Sequence, residues 1–439
     1  MLRIIILLLF VLFSTNLHIQ ATTTQDVSIL INGEKQNYLQ PPIIKNNRTL
    51  VPFRHIFESL GADVSWNAEE ERISATKDDT TMQLILHSTA AVINNRHYEL
   101  DTAPELINNG TTMVPLRFVS ETLGADVTWN NEHKMIIIND LPKRQSEIKK
   151  KWHDLQPSFD EEPYLETPRY QAPFKAGTLK NEFLQDGLKM ANFVRYLAGL
   201  PDDLILDEAL NRKAQHGAVL TKANGLLSHY PTKPNGMTDE FFKQAYKAAS
   251  SSNLGIGYSN IADSIKRGYM RDREEENVDR LGHRRWILNP PLKKVGFGYA
   301  YEATAMAVFD RSREERFDYD QILWPNKEAF PSEFFNSSDP WSVSLNPNKY
   351  EKPLLDEVVV KLKNIRTQQA WTFDKNDNTF MKGSEYFHIN NDYYGVPYCI
   401  IFKPNNIDYY SDEYEVTING VKNINGEEEI IRYYVNFFN

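Results

Sequence analysis

The 439 residues are 41% hydrophobic and 25% charged, an ordinary globular balance. A formal net charge of −10 excludes broad binding to nucleic acid or anionic membranes, both of which take a basic surface. At roughly 150 residues per domain, the length suggests about three domains.

Arg3 precedes an apolar run, Ile4 to Leu12, and the small residue Ala21 follows. This is the layout of a secretory signal peptide over 1–21, cleaved after Ala21. The run is shorter than the ~20 residues a membrane span needs, so an uncleaved anchor is the weaker alternative. No other stretch could cross a bilayer. The expected mature protein is secreted and extracellular.

An internal repeat follows. "TLVPFRHIFESLGADVSWN" (49–67) returns sixty-three residues later as "TMVPLRFVSETLGADVTWN" (112–130). Pro52 and Pro115 sit where a helix begins. Apolar residues at helical spacing follow: Phe53, Ile56, Phe57 and Leu60, then Leu116, Val119 and Leu123. Gly61 and Gly124 supply left-handed stops, and Val64/Trp66 and Val127/Trp129 alternate as half-buried strands do. A hairpin-like piece with turn-prone Asn and Gly precedes each copy. Residues 141–180, with charge runs and four prolines between 157 and 173, read as a linker with a short helix at its start.

Helical periodicity resumes with Leu184, Leu188, Ala191, Val194 and Ala198 on one face, stopped by Gly199 and Pro201. A second helix carries Leu206, Leu210, Ala214 and Ala218 and ends at Gly225. In "VGFGYAYEATAMAVFD" the G-x-G pair lacks a third glycine and a helix start, so it is a weak nucleotide signal and reads as a strand packed closely through Gly296 and Gly298. "ILWPNKEAFPSEFF", with Trp324 and Pro331, reads as a stiff join. Beyond residue 340 lie short β-branched and aromatic runs: "WSVSL", "EVVVKLKNI", "AWTF", "YCIIF", "YEVTING" and "RYYVNFF". They predict an antiparallel β-sandwich over 313–439. Cys399, the lone cysteine, reads as a small buried hydrophobe.

The tandem over 26–140 resembles the copper amine oxidase N-terminal-like domain through its "VPxR…LGADVxW" core. His55 and His97 stand at non-equivalent places in the two copies, so no copper site is expected. The resemblance implies an accessory role, attachment to cell-wall polymer, against a purely structural alternative. Further on, Asn192, Arg195, Gly199 and Leu200, then His229, then "NIA" at 260–262, then His283-Arg284 resemble the ordered motifs of the CAP superfamily, the cysteine-rich secretory, antigen and pathogenesis-related proteins. The domain is placed at 181–312. The implied architecture is an α-β-α sandwich within an α+β multidomain chain.

The family's cleft carries two histidines and two glutamates, and the histidines can hold a divalent metal such as zinc. Here the first glutamate is replaced by Ser259, and Asp272 stands near the place of the second. Glu274, Glu275 and Glu276 read as a solvated face. The expected ligand cleft is therefore His229, Ser259, Asp272 and His283, with His229 and His283 as the metal pair. With one glutamate gone, a non-enzymatic binding protein is preferred. The alternative is a metal-dependent hydrolase of wall or protein substrates with Asp272 as acid/base, and a vestigial scaffold is the third reading. His216 and Trp286 read as structural. Arg284 and Arg285 are expected to pair with carboxylates of their own domain.

Overall fold

The computed structural model describes residues 27–439 apart from 46, 78–79, 108–109, 131–133 and 382. The expected signal segment, 1–21, lies outside the described residues. The chain is a mixed α/β multidomain protein that divides into two compact units, 1–138 and 139–439.

In the first unit each repeat folds alike. Strand Arg48–Pro52, helix α1 (Phe53–Ser59) and strand Asp63–Asn67 are matched by strand Thr112–Pro115, helix α2 (Leu116–Thr122) and strand Asp126–Asn130. Each proline opens its helix from extended backbone, where its missing N–H costs nothing. Gly61 (φ 72°) and Gly124 (φ 84°) take the left-handed turn that ends it. The copies are not separate beads. Their first strands pair antiparallel, Val51 opposite Val114, and one core joins Ile56 and Phe57 to Val119 and Leu123. Upstream of the second copy, Ala90–Ile93 and Arg96–Glu99 form a hairpin whose turn residues Asn94 and Asn95 have positive φ.

The second unit opens with helix α3 (Leu141–Leu155), longer than the expected short helix, with Ile148 and Trp152 packed into the main core. Strands Tyr164–Glu166 and Thr178–Leu179 then pair. The expected linker is thus partly ordered: its few apolar residues, too sparse to show periodicity, find a surface supplied by later chain.

Helices α4 (Asn181–Leu197), α5 (Glu208–Asn224) and α6 (Asp239–Ala249) follow. Asp207 caps α5, its carboxylate accepting from the Leu210 amide, and Gly225 (φ 67°) ends it. The sheet runs Ile205–Leu206, Lys294–Ala300, Ala303–Ala307, Asn253–Ile256, the first pair parallel and the others antiparallel. Gly296 and Gly298 face α5 so closely that a Cβ on either would stand 2.2 Å from its backbone. Phe297, between them, points to the opposite face, where Gly187 of α4 leaves room for it and for Ile261. The G-x-G pair is therefore a packing device. Helix α7 (Ile261–Asp263) runs into a π-helical turn, Ser264–Tyr269, and helix α8 (Gly282–Ile287) carries the "GHRRWI" stretch.

The C-terminal strands form two sheets: Gln321–Trp324, Trp341–Leu345, Cys399–Lys403 and Tyr386–Asn390 in one; Glu328–Pro331, Glu428–Phe438, Glu413–Lys422, Val359–Asn364 and Ala370–Phe373 in the other. The expected stiff join gives an edge strand to each sheet, one on either side of Pro325, where edge positions tolerate proline. Cys399 is buried. The main apolar core is continuous across residue 312: Ile287, Leu292 and Phe297 belong to one cluster with Trp324, Trp341 and Phe402.

Candidate functional site

Two residues with backbone in the left-handed region frame His283. Asp272 (φ 45°) follows the π-helical turn, and Leu281 (φ 48°) precedes α8. Such conformations are unfavourable for side chains other than glycine and persist where the surroundings hold them. The Asp272 side chain is 0% exposed. Its Oδ1 accepts from His283 Nδ1 at 2.7 Å and from the Asn277 amide, and its Oδ2 accepts from the Arg284 backbone N at 2.9 Å. One carboxylate thereby fixes the imidazole and caps α8. With Nδ1 carrying the proton toward Asp272, Nε2 is left as the reactive ring atom. The His283 side chain is 24% exposed. Burial pulls its pKa down, but the charge and hydrogen bond of Asp272, aided by Glu274, override this and hold it above the ordinary value.

His229 lies on the surface, its Nδ1 bonded to the Ala249 carbonyl at 2.7 Å, which likewise directs Nε2 outward. The His283 carbonyl accepts from Asn253 Nδ2 at 3.0 Å. The two histidines are thus tethered to chain positions four residues apart, Ala249 and Asn253. Tyr269, whose ring centroid is 5.3 Å from that of His283, bonds Thr304 and the Asn253 carbonyl, and burial raises its hydroxyl pKa.

Ser259 is not drawn to an imidazole. Its hydroxyl donates to Asp263 at 3.4 Å, and Asp263 pairs with Arg267. Asp272, the candidate acid/base, has both oxygens engaged and no exposed surface, so it acts on His283 and not on a substrate. Glu274, Glu275 and Glu276 are exposed, as expected of a solvated face. His216 bonds the Arg212 carbonyl within its own helix and packs against Phe241. Asn277 and Asn253, which hold the two ends of the dyad, carry no spacing signal that sequence reading could have used.

Arg284 and Arg285 do not pair with carboxylates. Arg284 donates to the carbonyls of Met270, Arg271 and Pro340 and to Ser342, and Arg285 to those of Arg280, Asp392 and Val396 and to Asn390. Arg195 does the same with Pro201, Ile287 and Asn289, and burial lowers its pKa to about 9. A guanidinium has five fixed donors, and backbone carbonyls can take up most of them without a second charge.

Among the described residues no three of His, Cys, Asp and Glu converge as a metal set. Two imidazoles fall short of the three protein ligands of a catalytic zinc site, so the described residues do not fit a catalytic zinc. His55 in the first unit bonds Gln36. Among the described residues no helix is long and apolar enough to cross a membrane.

Comparison with known proteins gives two families: the copper amine oxidase N-terminal domain at residues 30–138 and the cysteine-rich secretory protein family, CAP, at 188–310. A protein of Brevibacillus choshinensis named "Protease inhibitor" is 31% identical over 115 residues, 26% of this chain and 34% of its own. The chain thus spans about a third of that relative's length. The ordered histidine, asparagine and arginine motifs of the second unit are those of a CAP domain, and the chain carries that domain behind a copper amine oxidase N-terminal domain.

Proposed function

We propose that this is a secreted, cell-envelope-associated CAP-domain protein, non-enzymatic, that binds a ligand at a cleft lined by His229 and His283. The observation that carries the reading is the buried Asp272 carboxylate, which holds His283 by Nδ1 while part of the ring stays exposed. A fixed imidazole with Nε2 free serves recognition well, since its orientation costs nothing on binding. Exposed Leu226, Leu227 and Tyr230 flank His229, which suits an occupant with an apolar part. In this reading the first unit attaches the protein to wall polymer, the middle region is an α-β-α sandwich, and the two C-terminal sheets form a β-sandwich.

Zinc is a useful probe of whether the two rings share one site. Saturable zinc uptake by calorimetry, abolished by either His229→Ala or His283→Ala alone, is the expected result. Uptake unchanged in both single variants would refute the shared cleft. The competing reading, a metal-dependent hydrolase of wall or protein substrates with Asp272 as acid/base, is less well served, because that carboxylate is buried with both oxygens engaged by His283, Asn277 and the Arg284 amide.

A further inference from the structure

The loop between α5 and α6 turns its apolar side chains outward. Leu226 is 57% exposed, Leu227 53% and Tyr230 80%. The polar groups of the same segment hold it in place. Asn224 Nδ2 donates to the carbonyls of Leu220 and Thr232, Thr232 Oγ1 donates to Asn224 Oδ1, and the Tyr230 amide donates to Ser228 Oγ. His229 Nδ1 meets the Ala249 carbonyl at 2.7 Å, and Pro231 and Met237 are buried. Three large apolar side chains within five residues, fixed outward by hydrogen bonds at their base, mark a contact surface.

Charge accompanies that tip. Between 208 and 249 the chain carries six basic residues and three acidic ones, although its overall net charge is −10. Arg212 and Lys233 are paired, with Glu208 and Asp239, whereas Lys213, Lys222, Lys243 and Lys247 have no carboxylate partner among the described residues. The two helices cross closely, for a Cβ on Gly217 of α5 would stand 3.1 Å from that of Ala248 on α6. Lys213 lies one turn before Gly217, and Lys247 adjoins Ala248. Burial and, after it, the Lys247 charge lower the Lys213 pKa. Lys247 is also two residues from Ala249, to which His229 is tethered. The basic face and the apolar tip thus share the α5–α6 pair.

A phosphate polymer would take the lysines and leave the tip in water. An uncharged apolar groove would take the tip and leave the lysines without a counter-charge. A bilayer with anionic lipid uses both: acyl chains receive the leucines, a tyrosine sits at headgroup level with its hydroxyl wet, and lysines lie over the headgroups. The negative charge of the rest of the chain confines the attraction to this face.

We propose that the α5–α6 loop docks the protein on an anionic lipid surface, with Leu226, Leu227 and Tyr230 entering the boundary of headgroups and acyl chains and Lys222, Lys243 and Lys247 facing the headgroups. This rests on the reading in which the flank of His229 meets an apolar occupant, and it names that occupant as a bilayer.

The test sediments the full chain with vesicles of phosphatidylcholine mixed with phosphatidylglycerol, and with phosphatidylcholine alone as the control. Binding to the mixed vesicles should be at least about tenfold tighter than to the control and should weaken with salt. The double variant Leu227→Ser, Tyr230→Ser should bind the mixed vesicles at least about tenfold more weakly at an unchanged melting temperature, since both side chains are exposed. Lys243→Gln with Lys247→Gln should remove most of the preference for phosphatidylglycerol and leave zinc uptake, the test of the histidine cleft, as in the wild type. Zinc uptake without vesicle binding overturns the docking and leaves the cleft standing. Undiminished binding by the Leu227, Tyr230 double variant or equal binding to both vesicles also overturns it. So does full competition by soluble polyphosphate, which would reveal a polyanion site.

Discussion

Asp272 shows how much one residue can be asked to do. Its carboxylate holds an imidazole, an amide and the first turn of a helix, all away from water. Asp272→Asn keeps the shape but turns one acceptor into a donor, so the His283 Nδ1–H or the Arg284 N–H loses its partner. We expect a loss of about 1.5–3 kcal/mol in chemical unfolding, because hydrogen bonds to a charged group sit in that range. Removing the charge that raises the His283 pKa should also lower it, read by imidazole NMR titration. Asp203 gives a pH prediction with a definite sign. Hydrogen bonds from Arg313 and Lys293 hold its carboxyl well below the usual carboxylate range. A depressed folded-state pKa contributes stability that is present above the ordinary value of 3.8 and is lost as pH falls toward the folded value. The wild type should therefore be more stable than Asp203→Asn at pH 7, and the two denaturation midpoints should converge in acid. Midpoints that stay equally far apart from pH 7 to pH 2.5 would rule out the pairing.

At the scale of elements, the contact of α5 with its sheet depends on two missing side chains. A Cβ at Gly298 would stand 2.2 Å from the Ala214 carbonyl oxygen, and backbone cannot yield as a flexible side chain can. Gly298→Ala should cost about 1–3 kcal/mol or more, while Gly225→Ala, in open space, is limited by its φ of 67° alone. Comparing their melting temperatures separates close packing from turn geometry. These elements were legible early. The repeat, the prolines at helix starts and the glycines at helix ends are local chemistry, and each fell where its motif put it. The elements that were not legible, Gln321–Trp324, Glu328–Pro331 and Tyr386–Asn390, are short strands completed by partners elsewhere in the chain. A run of four or five residues is too short to carry a periodicity of its own.

At the scale of the molecule, the second unit behaves as one folding body. Arg285 reaches the Val396 carbonyl across 111 residues and Arg284 the Pro340 carbonyl across 56. Cutting after residue 312 would strip Arg284 of Pro340 and Ser342 and Arg285 of Asn390, Asp392 and Val396, and would open the core at Ile287 and Phe297. We expect residues 139–439 to unfold cooperatively with strong near-ultraviolet circular dichroism, and residues 139–312 to lack both signals. A cooperative, native-like 139–312 fragment would show the middle region to be autonomous.

The amino-acid sequence by itself determined the two families, the repeat, the glycine-marked ends of α1, α2 and α5 and the histidines worth watching, because these follow from local spacing and turn chemistry. Tertiary structure alone decided that Asp272 serves His283 from behind, that the arginines of "GHRR" bond carbonyls instead of carboxylates, and that Ser259 turns to Asp263. The physical reason is common to all three: a polar group's role depends on which partner occupies its hydrogen-bonding reach, and those partners come from chain that only folding brings near.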